Sequence, residues 1–299
     1  MNGTWLRGIV AGLALISQSA SAGDLEIVIV KSSDNGYFNQ SIQTLISHLE
    51  NAARIRVTSV DDLDPTEADS APDRLYIGLG LPAASTVGRL TGDRLSFSAY
   101  LTREQYQALA PEMQLGVLLD QPLYRYLAFC KLLLAMDSVG IAIEQPVDLG
   151  AVEKRMLAEL GFALNQYRVD EDNKLLPVLR QLLQQNDALL MLPRAAIYNR
   201  DSLKGVLLTS YRYRKPAISY APAHVEAGAL ASIYSSPEDI GRHLAELVNT
   251  YLRDPGSTAA GFDHARYYSI DINSRVARAL DLELPGEREI RLRMEHIEP

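Results

Sequence analysis

The sequence of 299 residues contains very little cysteine, tryptophan or histidine. Its single cysteine, Cys130, has no partner within the chain, so stability must come from a hydrophobic core and not from an internal disulfide. Cys130 also falls on the apolar face of a predicted helix, which favours a small buried residue over a nucleophile. The length is sufficient for one large domain or for two lobes.

Positive charge is also scarce, since 29 Lys and Arg residues face 37 Asp and Glu residues and the formal net charge is −8. A protein that binds nucleic acid usually carries a basic surface, so this balance argues against a nucleic-acid partner. The densest basic run is YRYRK at 211–215, and we interpret it as the solvated face at the end of a helix.

Sequence motifs of enzymes and metal sites are missing. The chain contains no G-x-S-x-G elbow, no H-E-x-x-H, no P-loop and no C-x-x-C. Its histidines are scattered, and none of them comes with an evident set of further metal ligands. We therefore expect no enzymatic activity, no cofactor and no metal. A catalytic triad that forms only in the folded chain stays open as an alternative.

Long apolar runs are confined to the first residues. Arg7, an apolar stretch over 8–16 and Ala-Ser-Ala at 20–22 form the pattern of a secretory signal peptide, and the apolar stretch is too short to cross a bilayer. We expect the signal peptide to span 1–22, with cleavage after Ala22. The mature protein is then expected to be soluble, monomeric and exported to the periplasm.

Most of the remaining sequence alternates between strand and helix patterns. Apolar runs such as LEIVIV at 25–30 and VGIAI at 139–143 predict strands that are buried on both faces. Segments with apolar residues at i, i+3, i+4 and i+7 predict the helices between them. This alternation predicts parallel sheets covered by helices, and the number of elements exceeds one ordinary sheet. We therefore predict an α/β protein with two Rossmann-like lobes.

The stretch LYIGLGLPAAST contains the loose dinucleotide pattern G-x-G-x-x-A in Gly78, Gly80 and Ala83. A dinucleotide site requires this turn after the first strand and an acidic residue about 20 residues later. Here the turn follows the third predicted strand, and the downstream segment SFSAY contains no acid. Pro82 instead predicts a helix start whose free N–H groups, on 84–86, face an anionic ligand group. An ordinary strand–helix turn is the alternative.

Four segments carry a more specific pattern. VEAGALASIYSSPEDIGRHLAELV combines V-x-A-G-A-L-A with a G-x-x-A helix, and YYSIDINSRVARALDLELP combines a strand, an Asn-capped helix and A-x-x-L-x-L-x-x-P. GLGLPAAS forms a small-residue turn, and LDQPLYRYLAFCKLLL opens the second half. Together they resemble the substrate-binding proteins of ABC transporters with the periplasmic-binding-protein type I fold. Within that family, the segments resemble the branch of uncharacterised periplasmic transport components. The characterised relatives of this branch bind amino acids and similar small molecules.

The resemblance implies two hinged lobes that close on a ligand. The general rule for open α/β sheets likewise places a ligand at the carboxyl ends of the strands. The expected lobes comprise 23–120 with 229–263, and 121–228 with 264–299. The expected crossings between them lie near 120–123, 222–229 and 262–267.

The candidate ligand-binding residues all lie at predicted strand ends or in the loops that follow them. They are Asp34, Asn35, Ser85, Tyr100, Gln145, Arg194 and Tyr220. Asp34 suits a ligand amine, whereas Asn35 is either a ligand contact or a helix cap. Arg194 stands where many relatives have an acidic residue. It either binds a ligand carboxylate or pairs with an internal acid.

The resemblance and the strand-end residues point to a periplasmic protein that captures a small ligand for an ABC permease in the inner membrane. The ligand is expected to be amino-acid-like or aromatic and to bear a carboxylate. One alternative is a ligand-sensing module for a membrane signalling partner. A second alternative, an exported hydrolase, requires an activated nucleophile that the sequence does not display.

Overall fold

A computed structural model describes residues 25–50, 54–64, 66, 73–109, 114–257 and 260–297. The expected signal peptide at 1–22 lies outside these residues. Within the described ranges, helix and strand alternate along most of the chain, as predicted, and the strands form two six-stranded sheets. None of the helices in these ranges is both long enough and apolar enough to span a membrane.

The elements are numbered in chain order. The strands are β1 (Glu26–Lys31), β2 (Arg54–Ser59), β3 (Arg74–Leu79), β4 (Ser96–Leu101), β5 (Gln114–Leu118), β6 (Ser138–Ile143), β7 (Ala163–Arg168), β8 (Ala188–Leu190), β9 (Ala217–Ser219), β10 (Ala231–Tyr234), β11 (Gly261–His264) and β12 (Ser269–Ile272). The helices are α1 (Gly36–His48), α2 (Leu81–Thr91), α3 (Arg103–Leu109), α4 (Leu123–Leu133), α5 (Ala151–Glu159), α6 (Leu175–Gln185), α7 (Leu203–Arg212), α8 (Pro222–Ala227), α9 (Pro237–Arg253), α10 (Ser274–Ala279) and α11 (Glu287–Met294).

Each sheet is the centre of one lobe. The first sheet has the order β11-β5-β4-β3-β1-β2, and all of its strand pairs are parallel. The second has the order β12-β10-β9-β8-β6-β7, and it is parallel except where β12 runs antiparallel to β10. The predicted fold class, two α/β lobes with mostly parallel sheets, is confirmed.

Strand β10 lies in the second lobe, whereas the sequence predicted it in the first. We assigned 229–263 to the first lobe, but β10 pairs with β9 and β12 in the second sheet. The residues of β10 look like a small-residue run in the sequence, yet pairing on both edges buries Ala231 and Ile233 completely. The second crossing therefore follows β10, later in the chain than 222–229.

Helix α9 returns the chain to the first lobe, where it packs along α1. Its predicted start is confirmed, because the Ser236 side chain accepts from the Asp239 N–H and the Asp239 carboxylate accepts from the Ser236 N–H. A side chain at Gly241 would meet the carbonyl oxygen of Ser41 at 2.5 Å. Glycine at this position therefore allows the two helices to approach closely. β11 then completes the first sheet.

The hydrophobic core follows the apolar runs of the sequence. Ile27, Val28, Ile29 and Val30 of β1 are fully buried, because helices cover both faces of a parallel sheet. Cys130 is also fully buried, within the core of the second lobe, and burial raises the pKa of its thiol. The prediction that this cysteine is a small apolar core residue is confirmed.

Candidate functional site

In the part of the chain that the structure describes, there are three crossings between the lobes. The crossings are 119–122 between β5 and α4, 235–236 between β10 and α9, and 265–268 between β11 and β12. Each one leaves the carboxyl end of a strand, so all three lie at the edge of the sheets where ligands bind in open α/β folds. The hinge and the candidate site are therefore neighbours.

Buried side chains join the three crossings to one another. The Gln121 amide donates to Ser235 Oγ at 2.8 Å, and Ser235 Oγ donates to the Tyr267 carbonyl at 2.7 Å. The Arg125 guanidinium donates to Gln121 Oε1 at 2.5 Å and to the Ala265 carbonyl at 2.8 Å. Since the side chains of this network are buried, its hydrogen bonds are shielded from water and fix how the crossings sit against each other.

A cavity of about 430 Å³ lies beside this hinge, between the lobes. Its volume falls in the range of about 300–1,000 Å³ that small-molecule sites occupy. The first lobe and the first crossing contribute Thr102, Arg103, Glu104, Asp120, Gln121 and His264. The second lobe contributes Leu123, Tyr126, Val147, Asp148, Gly150, Glu153, Leu192, Pro193 and Arg194. Most of these residues come directly after a strand or begin the next helix.

An ion pair spans the cavity from one lobe to the other. Arg194, which follows β8, pairs through Nη1 with the Glu104 carboxylate of α3. Arg194 thus lines the cavity, as predicted from its position at a strand end. The structure also supports the alternative that we left open, because the side chain is paired with an acid of the protein.

A second cation of the cavity has neutral partners. Arg103 Nη2 lies 2.5 Å from His264 Nε2, and the Arg103 guanidinium lies over the Phe262 ring, 5.1 Å from its centroid. His264 Nδ1 lies 2.7 Å from the Asp120 carbonyl oxygen. Burial lowers the pKa of His264, and the nearby Arg103 lowers it further. His264 is therefore neutral at pH 7.

Carboxylates line the opposite wall of the cavity. Asp148 and Glu153 belong to the second lobe, and neither forms an ion pair with another described residue. The phenol of Tyr126 forms part of the floor, and burial raises its pKa. The wall of the cavity thus presents charges of both signs. In the described ranges no group of three or more His, Cys, Asp and Glu side chains is arranged to hold a metal ion.

The loop after β1 is held by its own hydrogen bonds. Asp34 pairs with Lys31 at 2.7 Å and accepts from the Asn39 amide, and the hydrogen bond from Lys31 lowers the Asp34 pKa. Asn35 caps α1, since its side chain accepts from the Phe38 N–H. The structure favours the capping alternative for Asn35.

The glycine-containing turn between β3 and α2 has structural reasons for its sequence. A side chain at Gly78 would meet Ala84 Cα at 2.8 Å, and Gly80 has a positive φ of 84°. The expectation of a free N–H on Ala84 is wrong, because this group donates to the Gly80 carbonyl. The N–H of Ala83 donates to Ser32 Oγ at 2.9 Å, so a protein hydroxyl accepts from this N–H group at the start of α2.

Ser85 lies one turn into α2. Its Oγ accepts from Arg89 Nη1 at 2.8 Å, and it is not among the residues that line the described cavity. The helix begins at Leu81, one residue before Pro82, which places Ser85 beyond the first turn.

Tyr100 joins two helices at the end of β4. Its hydroxyl lies 2.5 Å from Ser41 Oγ, and Ser41 Oγ donates to the Pro237 carbonyl at the start of α9. Its ring meets Phe38 edge to face at 4.9 Å. Burial raises the pKa of Tyr100 to about 12. Tyr100 also has a positive φ of 65°, at an irregularity in the β4–β5 pairing, which is a strained conformation for a bulky residue.

The two remaining candidates lie in the second lobe. Gln145 is exposed in the loop after β6, two residues before Val147 of the cavity. Tyr220 is half-buried after β9 and meets His224 edge to face at 4.9 Å. The structure therefore brings Arg194 into the cavity, and none of the other six candidates is among the residues that line it.

Sequence reasoning missed Arg103, Asp120 and His264. The rule that selected Tyr100, a polar residue at the end of a predicted strand, applies equally to Arg103 and Asp120. His264 has no such signal, because the short segment GFDH was not predicted as a strand. Its approach to Arg103 depends on the pairing of β11 with β5.

Comparisons with known proteins bear on the fold. A scan against protein-family models and a search of curated proteins find no match. Among solved structures, a ligand-free, open substrate-binding protein with adhesive properties from Clostridium difficile has a TM-score of 0.68 and 16% identity, over 88% of this chain and 97% of that one. An ABC domain from Streptococcus pneumoniae in complex with L-Trp has a TM-score of 0.52 and 18% identity, over 89% of this chain and 98% of that one.

A third similar structure is a conserved domain protein from Vibrio cholerae, with a TM-score of 0.52 and 18% identity over 90% of this chain and 98% of that one. At these identities the similarity shows the fold and does not extend to the ligand. The strand orders, the three crossings and these similarities agree. The chain therefore has the two-lobed α/β fold of type I periplasmic binding proteins, the fold of ABC transporter solute-binding proteins.

Proposed function

We propose that this protein is a solute-binding protein that captures a small ligand between its lobes for an ABC importer in the inner membrane. The observation that carries the proposal is the cavity itself. It is lined from both lobes and lies beside three crossings that are joined by buried hydrogen bonds. A ligand that contacts both walls favours the closed arrangement of the lobes, which is hinge motion and requires no covalent chemistry.

The charges of the cavity support a zwitterionic, amino-acid-like ligand. Arg103 is available to a carboxylate, and Asp148 and Glu153 are available to an amine. Leu123, Val147 and Pro193 line the cavity, are only partly buried, and offer an apolar surface for a ligand side chain. The similarity to a domain that holds L-Trp supports the same class of ligand.

The signal peptide expected at 1–22 supports export, and we propose that binding takes place in the periplasm. A ligand captured there requires a membrane permease for entry into the cell, and an ABC permease is the proposed partner. The similarity to a substrate-binding protein supports this role.

The proposal is tested by a thermal-shift screen on protein that was unfolded in guanidinium and refolded to remove any bound solute. The panel contains the L-amino acids, aromatic acids, nucleosides and vitamins. A ligand present at 100 times its Kd stabilises the folded state by about 2.7 kcal/mol. For a chain of this size we expect a rise in Tm of roughly 5 °C.

The matched control for each hit is its amide, which lacks the carboxylate. We expect the amide to shift Tm less than the acid does. A panel in which no compound raises Tm would contradict the capture of amino-acid-like solutes. Small-angle scattering then checks closure, since a hit that draws the lobes together reduces the radius of gyration.

A further inference from the structure

We propose that Arg103 forms an anion subsite that receives the carboxylate of the ligand, and that His264 is the positioning residue that holds its guanidinium at the cavity. The inference rests on the proposed function, because it takes the cavity as the ligand site. It differs from the sequence-based alternatives, which offered Arg194 or the N–H groups on 84–86 to a ligand anion.

Arg194 already has an anionic partner. Its guanidinium pairs with the Glu104 carboxylate across the cavity, and a ligand carboxylate would have to compete with that carboxylate. Three quarters of the Arg194 side chain is withdrawn from solvent. An exchange of partners at Arg194 therefore breaks one charge-assisted hydrogen bond for each one that it forms.

Arg103 has no such competitor among the described residues. Its side chain contacts the neutral imidazole of His264 and the face of Phe262, and no described carboxylate lies within ion-pair distance of its guanidinium. The guanidinium has five N–H donors, and the contact with His264 uses only one nitrogen. A ligand carboxylate at Arg103 thus adds charge-assisted hydrogen bonds without displacing an internal anion.

The hydrogen bonds of His264 define its tautomer. The Asp120 carbonyl can only accept, so the His264 Nδ1 that lies 2.7 Å from it carries the proton. Nε2 is then an acceptor, which matches the donating Arg103 nitrogen at 2.5 Å. The chain of donors runs from Arg103 through His264 to Asp120. A neutral histidine can hold the guanidinium in place and leave its charge unneutralised.

The charged residues that face His264 act on its protonation in opposite directions. They are Arg103 from α3, Asp120 from the first crossing and Arg125 from α4. Burial and the two arginines oppose protonation, whereas Asp120 favours it. A protonated ring would turn an N–H toward the guanidinium and release Arg103 from its position.

This arrangement also connects the subsite to the hinge. The backbone N–H of Arg103 donates to Asp120 Oδ1 at 2.9 Å, and Asp120 belongs to the first crossing. His264 is the last residue of β11, directly before the third crossing. A carboxylate bound at Arg103 therefore contacts a side chain whose position depends on two of the three crossings.

The test uses 4-fluorobenzoate as an aromatic carboxylate and 4-fluorobenzamide as its uncharged counterpart. The fluorine line width of each probe is titrated against the refolded full chain, which gives a Kd for weak binding. The matched variants are Arg103→Met and Arg194→Met, since they make the same substitution in the same cavity. Tm is measured for each variant to verify that it is folded.

We expect Arg103→Met to weaken 4-fluorobenzoate binding at least tenfold and Arg194→Met to change it less than threefold. Neither substitution should alter 4-fluorobenzamide binding by more than twofold. His264→Phe should weaken benzoate binding about fivefold, and His264→Gln should restore it. Glutamine can accept from Arg103 and donate to Asp120, as histidine does.

A pH profile separates positioning from mere structural support. In the wild type we expect benzoate binding to weaken as pH falls through the lowered pKa of His264, whereas binding to His264→Gln stays flat across the same range. Equal pH profiles for the two proteins would contradict the positioning role.

Two results would overturn the inference. They are loss of benzoate binding in Arg194→Met but not in Arg103→Met, and no benzoate binding to the wild type at 50 mM. Hits in the amino-acid screen together with either result would leave the proposed function standing and refute the subsite. If benzoate binding depends on Arg103 but the amino-acid screen gives no hit, the subsite stands and the proposed capture of amino-acid-like solutes is refuted.

Discussion

Two regions at the carboxyl edge of the first sheet, the glycine-containing turn at 78–86 and the hinge side of the cavity, use their polar groups in opposite ways. In the turn, Ser32 Oγ takes the N–H of Ala83. In the cavity, Arg103 faces a neutral histidine. Both regions satisfy the strand-end rule for ligand sites. Under the proposed function, the strand-end rule locates the edge of the sheet, and unused hydrogen-bonding and charge capacity distinguishes the ligand site from other positions along that edge.

The largest effect that we expect concerns the turn. Gly78→Ala places a methyl group 2.8 Å from the Ala84 backbone, which cannot move without shifting α2. Overpacking of this kind costs about 3 kcal/mol. Urea unfolding followed by circular dichroism measures the loss of unfolding free energy.

Gly88→Ala is the matched control, because the same methyl group meets only Gln114 Nε2 at 3.8 Å. An alanine inside a helix stabilises it by up to about 1 kcal/mol relative to glycine. Equal effects of the two substitutions would refute the close approach of α2 to β3 as the reason for Gly78.

The second prediction concerns the hinge. Gln121→Met removes the acceptor of Arg125 and the donor to Ser235, both of which are buried. Unsatisfied buried groups of this kind cost about 2 kcal/mol, which urea unfolding can measure. Gln43→Met on the exposed face of α1 is the control and should change the unfolding free energy by less than about 0.5 kcal/mol. If Gln121→Met leaves the unfolding free energy unchanged, the stability of the crossings does not depend on this network.

The third prediction is a loss of stability in mild acid. Burial lowers the pKa of His224, His243 and His264. A histidine with a lowered pKa binds fewer protons folded than unfolded, so its stabilisation is complete above about pH 6.5 and is lost as pH falls through the folded pKa.

Unfolding free energies at pH 7.5 and pH 5.0 measure this loss. His264→Gln should reduce the difference, because one titrating group is removed. Gly88→Ala removes no titrating group, so it should leave the pH dependence unchanged. A stability that rises on acidification from pH 7.5 to pH 5.0 would contradict the lowered pKa values.

Local sequence patterns were sufficient for most of the fold. The apolar run of β1 and the capping residues Ser236 and Asp239 act through near neighbours, and the structure confirms both. The strand β10 was missed because Ala231–Tyr234 has a strand environment only after β9 and β12 assemble around it. The cavity was harder still to predict. Its Arg103–His264 contact joins residues 161 positions apart in the sequence, and no local pattern records that distance.

The smallest effect is expected at Ser85. This residue follows a strand, which made it a candidate ligand contact, but it does not line the described cavity. Ser85→Leu removes one hydrogen bond from the exposed Arg89 and adds a side chain outside the described cavity. We expect the unfolding free energy to change by less than about 0.5 kcal/mol. Binding of 4-fluorobenzoate should change by less than twofold in the assay that reports Arg103→Met.

Ser85→Leu is also the most direct test of the difference between the turn and the cavity. A bulky residue in contact with the ligand would weaken binding at least tenfold while the protein stays folded. That result would place the ligand against α2, and polar groups that already have protein partners there would have to exchange them on binding. Unchanged affinity leaves LYIGLGLPAAST a structural turn, in which Gly78 admits the helix and Ser32 closes its first turn.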